Sequence, residues 1–274
     1  MLWKKGGNPF MVLAPLWLIL FCSSVQQVIV APVLPRIQEA LLLGDNAEPM
    51  LGLIGASFSF SLMIFALIAG VVSDRIGRRK IIMLGSGALA VTLILHTFAT
   101  TLTLLLLLRG LSGAAAGLLT GSFAAYIGDY FPYERRGWAL GWVLSGFAVG
   151  WSIGIPAGSL LADQSGFTAP FVAFGWIMAG AFALVLFFLP QPAVKLDESP
   201  LTFRLGAAKY LYLLKQRQPG TIVGCYFLMY SCVGLFIFFL PSWLEQEIAL
   251  SSGQVATLFS VAGVTQVVAS PVAG

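Results

Sequence analysis

Residues Gly70-Val71-Val72-Ser73-Asp74-Arg75-Ile76-Gly77-Arg78-Arg79-Lys80 separate two long uncharged runs, Leu51 to Val72 and Ile81 to Leu108. Each run is long enough to cross a bilayer, which takes about 20 apolar residues. Between them, Asp74 to Lys80 holds four cationic side chains and one aspartate. Lys and Arg concentrate in short cytoplasmic loops of membrane proteins, so this stretch reads as a cytoplasmic hinge between two membrane helices. Gly77 suits a tight turn with positive φ. Asp74 falls at the C-terminal end of the first helix, where its own helix dipole disfavours an anion. It therefore calls for a partner: Arg75, Arg78, or a cation or helix N-terminus from elsewhere in the fold.

Composition agrees with a membrane setting. Apolar residues make up 58% of the 274 and charged residues 9%, against roughly 25% charged in soluble domains. The chain reads as an all-α polytopic membrane protein. The net charge of +4 is not a nucleic-acid footprint, because the cations gather at helix ends. Cys22, Cys225 and Cys232 fall in apolar runs without metal-ligand spacing and read as packing residues. No cofactor motif, metal motif or nucleophile–base pair stands out, so an enzyme is not indicated. Lys4 and Lys5 precede an apolar run too long for a signal peptide and without a clear cleavage site.

Eight spans are expected: about Phe10–Leu34, Met50–Val72, Ile81–Ala99, Thr103–Ile127, Trp138–Leu161, Ala169–Leu189, Thr221–Leu240 and Gln254–Ala273. Pro15 and Pro32 bend or loosen the first span, and Pro190 and Pro192 stop the sixth. An acidic loop with Arg36, Glu39, Asp45 and Glu48 follows the first span. Residues 191–219 are the one long polar stretch and read as a cytoplasmic linker, with Tyr210 to Leu214 as part of a surface-lying helix. The domains expected are a six-helix bundle over 1–190, the linker over 191–219, and the first two helices of a second bundle over 220–274.

Charge sets the orientation. With the N-terminus inside, Lys4, Lys5, Arg75, Arg78, Arg79, Lys80, Arg135, Arg136, Lys195, Arg204, Lys209, Lys215 and Arg217 are cytoplasmic, thirteen of the fifteen cations. Arg36 alone lies outside, and Arg109 lies within a span. The positive-inside rule then places the N-terminus in the cytoplasm. A weak internal repeat accompanies this. Leu34-Pro35 and Leu240-Pro241 each end a span, and Gly70 and Gly274 each follow such a proline, by 35 and 33 residues. That is the pattern of a transporter built from parallel repeats. It implies a fragment of a twelve-helix protein stopping after its eighth helix, with an eight-helix protein as the alternative.

The Gly70–Lys80 stretch closely resembles the signature loop between helices 2 and 3 of the major facilitator superfamily: Gly, three spacers, then Asp-Arg-x-Gly-Arg-Arg/Lys. Gly70, Asp74, Arg75, Gly77, Arg78 and Arg79 fall in register with it. Arg109 to Ala116 resembles the helix 4 motif, in which an arginine is followed after three spacers by Gly113 and small residues. The resemblance implies a role for Arg109 in proton coupling or cavity polarity. The competing reading is snorkelling to the outer interface.

In the fifth span Gly146, Gly150, Gly154 and Gly158 recur every four residues, a smooth face for close helix contact. With Pro156 they partly resemble the helix 5 motif of drug:proton antiporters; Ile155, Ser159 and Leu160 depart from it. Asp129 to Gly137 is the next loop, and its Pro132, Arg136 and Gly137 resemble the superfamily's loop between helices 4 and 5. Asp74 paired with Arg135 or Arg136 is expected to help close the cytoplasmic side in the outward-facing state.

Gln26 and Gln27 stand where many proton-linked exporters carry an acid. They can hydrogen-bond a substrate but cannot titrate. No Asp or Glu lies mid-membrane, so a proton carrier is expected at an edge such as Asp129, or in helices beyond these. His96 reads as a structural residue at the interface. Aromatic side chains such as Phe123, Tyr126, Trp142, Trp151, Phe174, Trp176 and Tyr226 divide between an apolar cavity and lipid contact.

The expectation is an alternating-access transporter in a plasma (bacterial inner) membrane, monomeric at full length. It exchanges small organic molecules or drugs for protons and resembles the drug:proton antiporter branch. An uptake permease for sugars or organic acids, and a non-transporting receptor or scaffold on the same fold, are the alternatives.

Overall fold

The computed structural model describes residues 9–42, 48–192, 212, 214–248, 258, 261, 265 and 269. All regular structure among them is helical. The helices are α1 (Phe10–Val28), α2 (Val30–Ala40), α3 (Glu48–Ile76), α4 (Arg78–Leu95), α5 (Leu102–Tyr130), α6 (Tyr133–Ser165), α7 (Ala169–Phe188) and α8 (Arg217–Gln246), with a 3-10 turn at His96–Phe98 after α4. The chain divides into two compact units, one carrying α1 to α7 and the other α8. Five helices of the described residues are long and apolar enough to cross a membrane, and α6 makes six if its bent halves count as one span. The protein is an all-α polytopic integral membrane protein.

The expected spans map onto these helices with informative shifts. The first is two helices, α1 and α2, broken at Ile29. Pro32 has no N–H to offer the Val28 carbonyl, which loosens the ladder there. The chain then stays helical to Ala40, past Pro35, so Arg36 and Glu39 are helical and not in a loop. Likewise α8 runs through Pro241 to Gln246. Neither proline of the suspected repeat ends its helix, because membrane helices tolerate a proline whose freed carbonyl is re-satisfied. The hinge shrinks too: α3 continues through Asp74 to Ile76 and α4 starts at Arg78, leaving Gly77 as the single joint. Most of the eighth expected span and most of the 191–219 linker lie outside the described residues.

In a membrane, helices gain little from hiding apolar surface, and close van der Waals contact between small residues carries their association. Two glycine faces supply it here. On α5, Gly113, Gly117 and Gly121 meet α3: a Cβ at Gly113 would strike the Phe58 carbonyl, and one at Gly117 would stand 2.5 Å from the Leu62 carbonyl oxygen. On α6, Gly146 faces the Trp17 carbonyl at 2.7 Å by the same construction, and Gly154 and Gly158 face Val28 and Ile29. Trp17 Nε1 also donates to Ser145 Oγ at 3.0 Å, tying α1 to α6. The α6 axis bends by 45° at Pro156, which lacks the N–H its helix needs. Phe60, Met63 and Leu67 of α3 stay exposed, as a surface solvated by lipid permits.

Candidate functional site

One end of the α1–α7 unit collects a charged cluster built from helix ends. Arg78, Arg79 and Lys80 occupy the first turn of α4 with no acid among them, and cations at a helix N-terminus oppose its dipole. Asp74 in the last turn of α3 and Asp129 in the last turn of α5 are the complementary misfits. Arg78 resolves both. It forms an ion pair with Asp74, and its Nε donates to Asp129 Oδ2 at 3.1 Å. Its Nη1 also donates to Ser73 Oγ, which in turn donates to the Gly70 carbonyl at 2.9 Å. Asp74 thus finds one of the partners its position called for.

Neighbouring contacts extend the cluster to α7. Arg79 Nη2 donates to the Leu186 carbonyl at 2.8 Å, and Tyr126 Oη donates to the Pro190 carbonyl at 2.7 Å. Gly77 takes φ +99°, and a Cβ there would stand 2.5 Å from Gln191 Nε2. Arg75 is half-buried in the last turn of α3, where a cation suits the dipole. In the loop after α5 and the start of α6, Arg135 is exposed. Arg136 Nε donates to the Phe131 carbonyl at 3.2 Å, and its guanidinium lies over the Tyr133 ring. At the opposite end of the unit Arg36 of α2 pairs with Asp163 of α6.

A second polar group sits in the interior. Arg109, seven residues into α5, is 1% exposed, which excludes snorkelling. Its Nη2 donates to the Gln26 carbonyl at 3.1 Å, and the Phe58 ring faces its guanidinium at 4.3 Å. Gln26 is fully buried while Gln27, a helical step of about 100° away, is exposed. His96 is a correction. Expected at the interface, it is completely buried and stacks on Phe171 at 4.5 Å. The α4 helix closes in a 3-10 turn that folds the ring inward, and Nδ1 donates to the Thr92 carbonyl at 2.8 Å. Ser112 Oγ donates to Thr92 Oγ1 at 3.1 Å, linking α5 to the same turn. The aromatics sort in ways composition does not show: Phe123, Tyr126 and Phe174 are buried, whereas Trp142, Trp176, Tyr226 and Tyr230 are exposed.

Sequence reasoning missed the α5 face of Gly117 and Gly121 beside Gly113. The signal was present as the same four-residue spacing noted in α6. It also missed Ser73, Gln191 and Leu186, whose involvement depends on which helix ends converge. Among the described residues no group of three or more His, Cys, Asp and Glu side chains could hold a metal.

Residues 16–274 match the Major Facilitator Superfamily, and the chain belongs to that family. Among curated proteins it is 30% identical over 192 residues to the multidrug resistance protein MdtG of Proteus mirabilis, covering 69% of this chain and 46% of that one. It is 31% identical over 190 residues to MdtG of Citrobacter koseri, covering 68% and 45%. The chain thus spans about half the length of the curated relatives it matches. Among solved structures, the human organic anion transporter MFSD10 superposes with a TM-score of 0.78 at 19% identity, over 97% of this chain and 72% of the other. The proton:xylose symporter XylE superposes with 0.73 at 13% identity, over 98% and 69%. At these identities the likeness is one of fold.

Proposed function

We propose that the protein is a secondary transporter that exports small organic molecules or drugs in exchange for protons by alternating access. The observation that carries this reading is the Arg78-centred cluster. It ties the ends of α3, α4 and α5 with pairs that are partly exposed and therefore cheap to break and remake. The relatives named as multidrug resistance proteins support export over uptake, and so does the glycine face of α6 leading to Pro156. Gly70, Asp74, Arg75, Gly77, Arg78, Arg79, Asp129, Arg135 and Arg136 act as the gating loops. Asp74 passes to Arg135 or Arg136 when the cytoplasmic side closes. Gln26, Gln27 and Arg109 polarise the substrate path, and Gly113 lets α3 approach α5 closely beside Arg109. Coupling protons use an edge acid such as Asp129 or groups outside the described residues.

In this reading residues 1–190 form the first bundle, 191–219 a cytoplasmic linker, and 220–274 the start of a second bundle. At full length the protein sits as a monomer in a bacterial inner membrane with its N-terminus in the cytoplasm.

The test is transport of a fluorescent lipophilic cation in membrane vesicles of both orientations under an imposed pH gradient. Accumulation in inverted vesicles that collapses with the gradient is the expected result. Gradient-driven accumulation in right-side-out vesicles instead makes it an uptake permease. Binding without counterflow makes it a receptor or scaffold.

A further inference from the structure

Arg109 is the one Lys, Arg, Asp or Glu side chain that is buried among the described residues. A guanidinium offers five N–H donors and no acceptor. One is used on the Gln26 carbonyl; Nε and Nη1 are buried without a partner. The ring of Phe58 meets the cation but supplies no acceptor and no negative charge. A buried charge without a counter-charge is among the most costly arrangements a protein core can hold.

The surroundings carry the same signature. The Gln26 amide, the Ser23 hydroxyl and His96 Nε2 are also buried without partners, where buried polar groups are nearly always paired. Ser23 and Gln26 are three residues apart on α1 and so share a face. His96 and Arg109 both lie against Phe171, at 4.5 and 5.8 Å. His96 stands outside the donor set. With Nδ1–H given to Thr92, its neutral ring keeps only a lone pair at Nε2. Unpartnered donors thus remain on Arg109, on the Gln26 amide nitrogen and on the Ser23 hydroxyl, the Gln26 amide oxygen is an open acceptor beside them, and the positive charge of Arg109 is uncompensated. Water would fill the hydrogen bonds and leave the charge; an anion answers both.

We infer that Arg109, with the side chains of Gln26 and Ser23, binds a small monovalent anion inside the α1–α7 unit. The anion is chloride or the carboxylate of a bound organic molecule. This goes beyond the transport reading and is measured without turnover. A chain that binds anion but moves no substrate would sink the former reading and leave this one standing.

The experiment is equilibrium binding of radioactive chloride to the full chain in lipid nanodiscs, with sodium acetate as competitor and sodium methanesulfonate holding ionic strength. Saturable binding of one chloride per chain, weakened at least about tenfold by Arg109→Gln, is the expected result, since charge-assisted hydrogen bonds are lost. Gln26→Leu, which keeps the backbone carbonyl, weakens it about threefold. It also guards against misfolding of the arginine variant. Arg36→Gln, whose cation is already paired with Asp163, leaves binding unchanged. Displacement by acetate shows that the site takes carboxylates as well. Acetate binding without chloride binding assigns it to organic anions. Absence of saturable binding by either, or binding indifferent to Arg109→Gln and Gln26→Leu, overturns the inference.

Discussion

Arg78 is placed where three helix ends conflict with the charges they carry. One cation at the start of α4 answers one acid at the end of α3 and another at the end of α5. Asp74 is 48% exposed and Asp129 24%, so each pair contributes no more than about 1 kcal/mol to stability. Asp74→Asn is therefore expected to insert and melt like the parent while transport falls several-fold. Full transport by that variant would remove the gating role. Gly77 behaves in the opposite way. Gly77→Ala combines a φ of +99° with a Cβ 2.5 Å from Gln191 Nε2. The backbone strain alone costs about 1–3 kcal/mol. Gln191→Ala in the same chain is expected to relieve the clash but not the strain, so the double variant recovers only part of the lost melting temperature.

The elements are held by contact distance more than by polarity. Gly113 lies against the backbone of α3, and a carbonyl cannot swing aside as a side chain can. Gly113→Ala is expected to cost about 1–3 kcal/mol through overpacking, seen as a lower melting temperature in detergent. Gly128, fifteen residues further along α5, meets nothing within 4 Å. Gly128→Ala is expected to leave stability unchanged or raise it by up to about 1 kcal/mol through helix propensity. If the two variants melt alike, close packing of α5 on α3 is not what holds that pair. The spacing of these glycines was readable on both helices, but only the packed helices show which partner each face meets. The break at Ile29 and the bend at Pro156 follow from proline chemistry. The continuation of α2 and α8 beyond their later prolines does not.

At the scale of the molecule, the ion pairs at the two ends of the α1–α7 unit frame the topology. Arg36 and Asp163 meet at one end; Arg78, Asp74 and Asp129 meet at the other. The positive-inside rule assigns the second end to the cytoplasm. Gln164 and Glu134, exposed near opposite ends of α6, test it. In a chain with its native cysteines replaced, Gln164→Cys is expected to react with a membrane-impermeant maleimide on intact cells. Glu134→Cys should react only after permeabilisation. The reverse pattern would invert the orientation.

The sequence by itself determined that the chain crosses a membrane repeatedly, where six of its spans lie, and which loop carries the family motif. Those features depend on run length, charge and local turn chemistry, all of which are local in the chain. Gly77's positive φ belongs with them. Tertiary structure alone decided that Arg78 serves both acids, that Gln26 is buried and Gln27 is not, and that His96 turns into the core. It also decided that Arg109 is buried with unused donors. In a uniformly apolar helix the sequence pattern has little periodicity to mark an inner face, because lipid and protein interior are alike in polarity. Which side chains meet is then set by how the helices pack against one another.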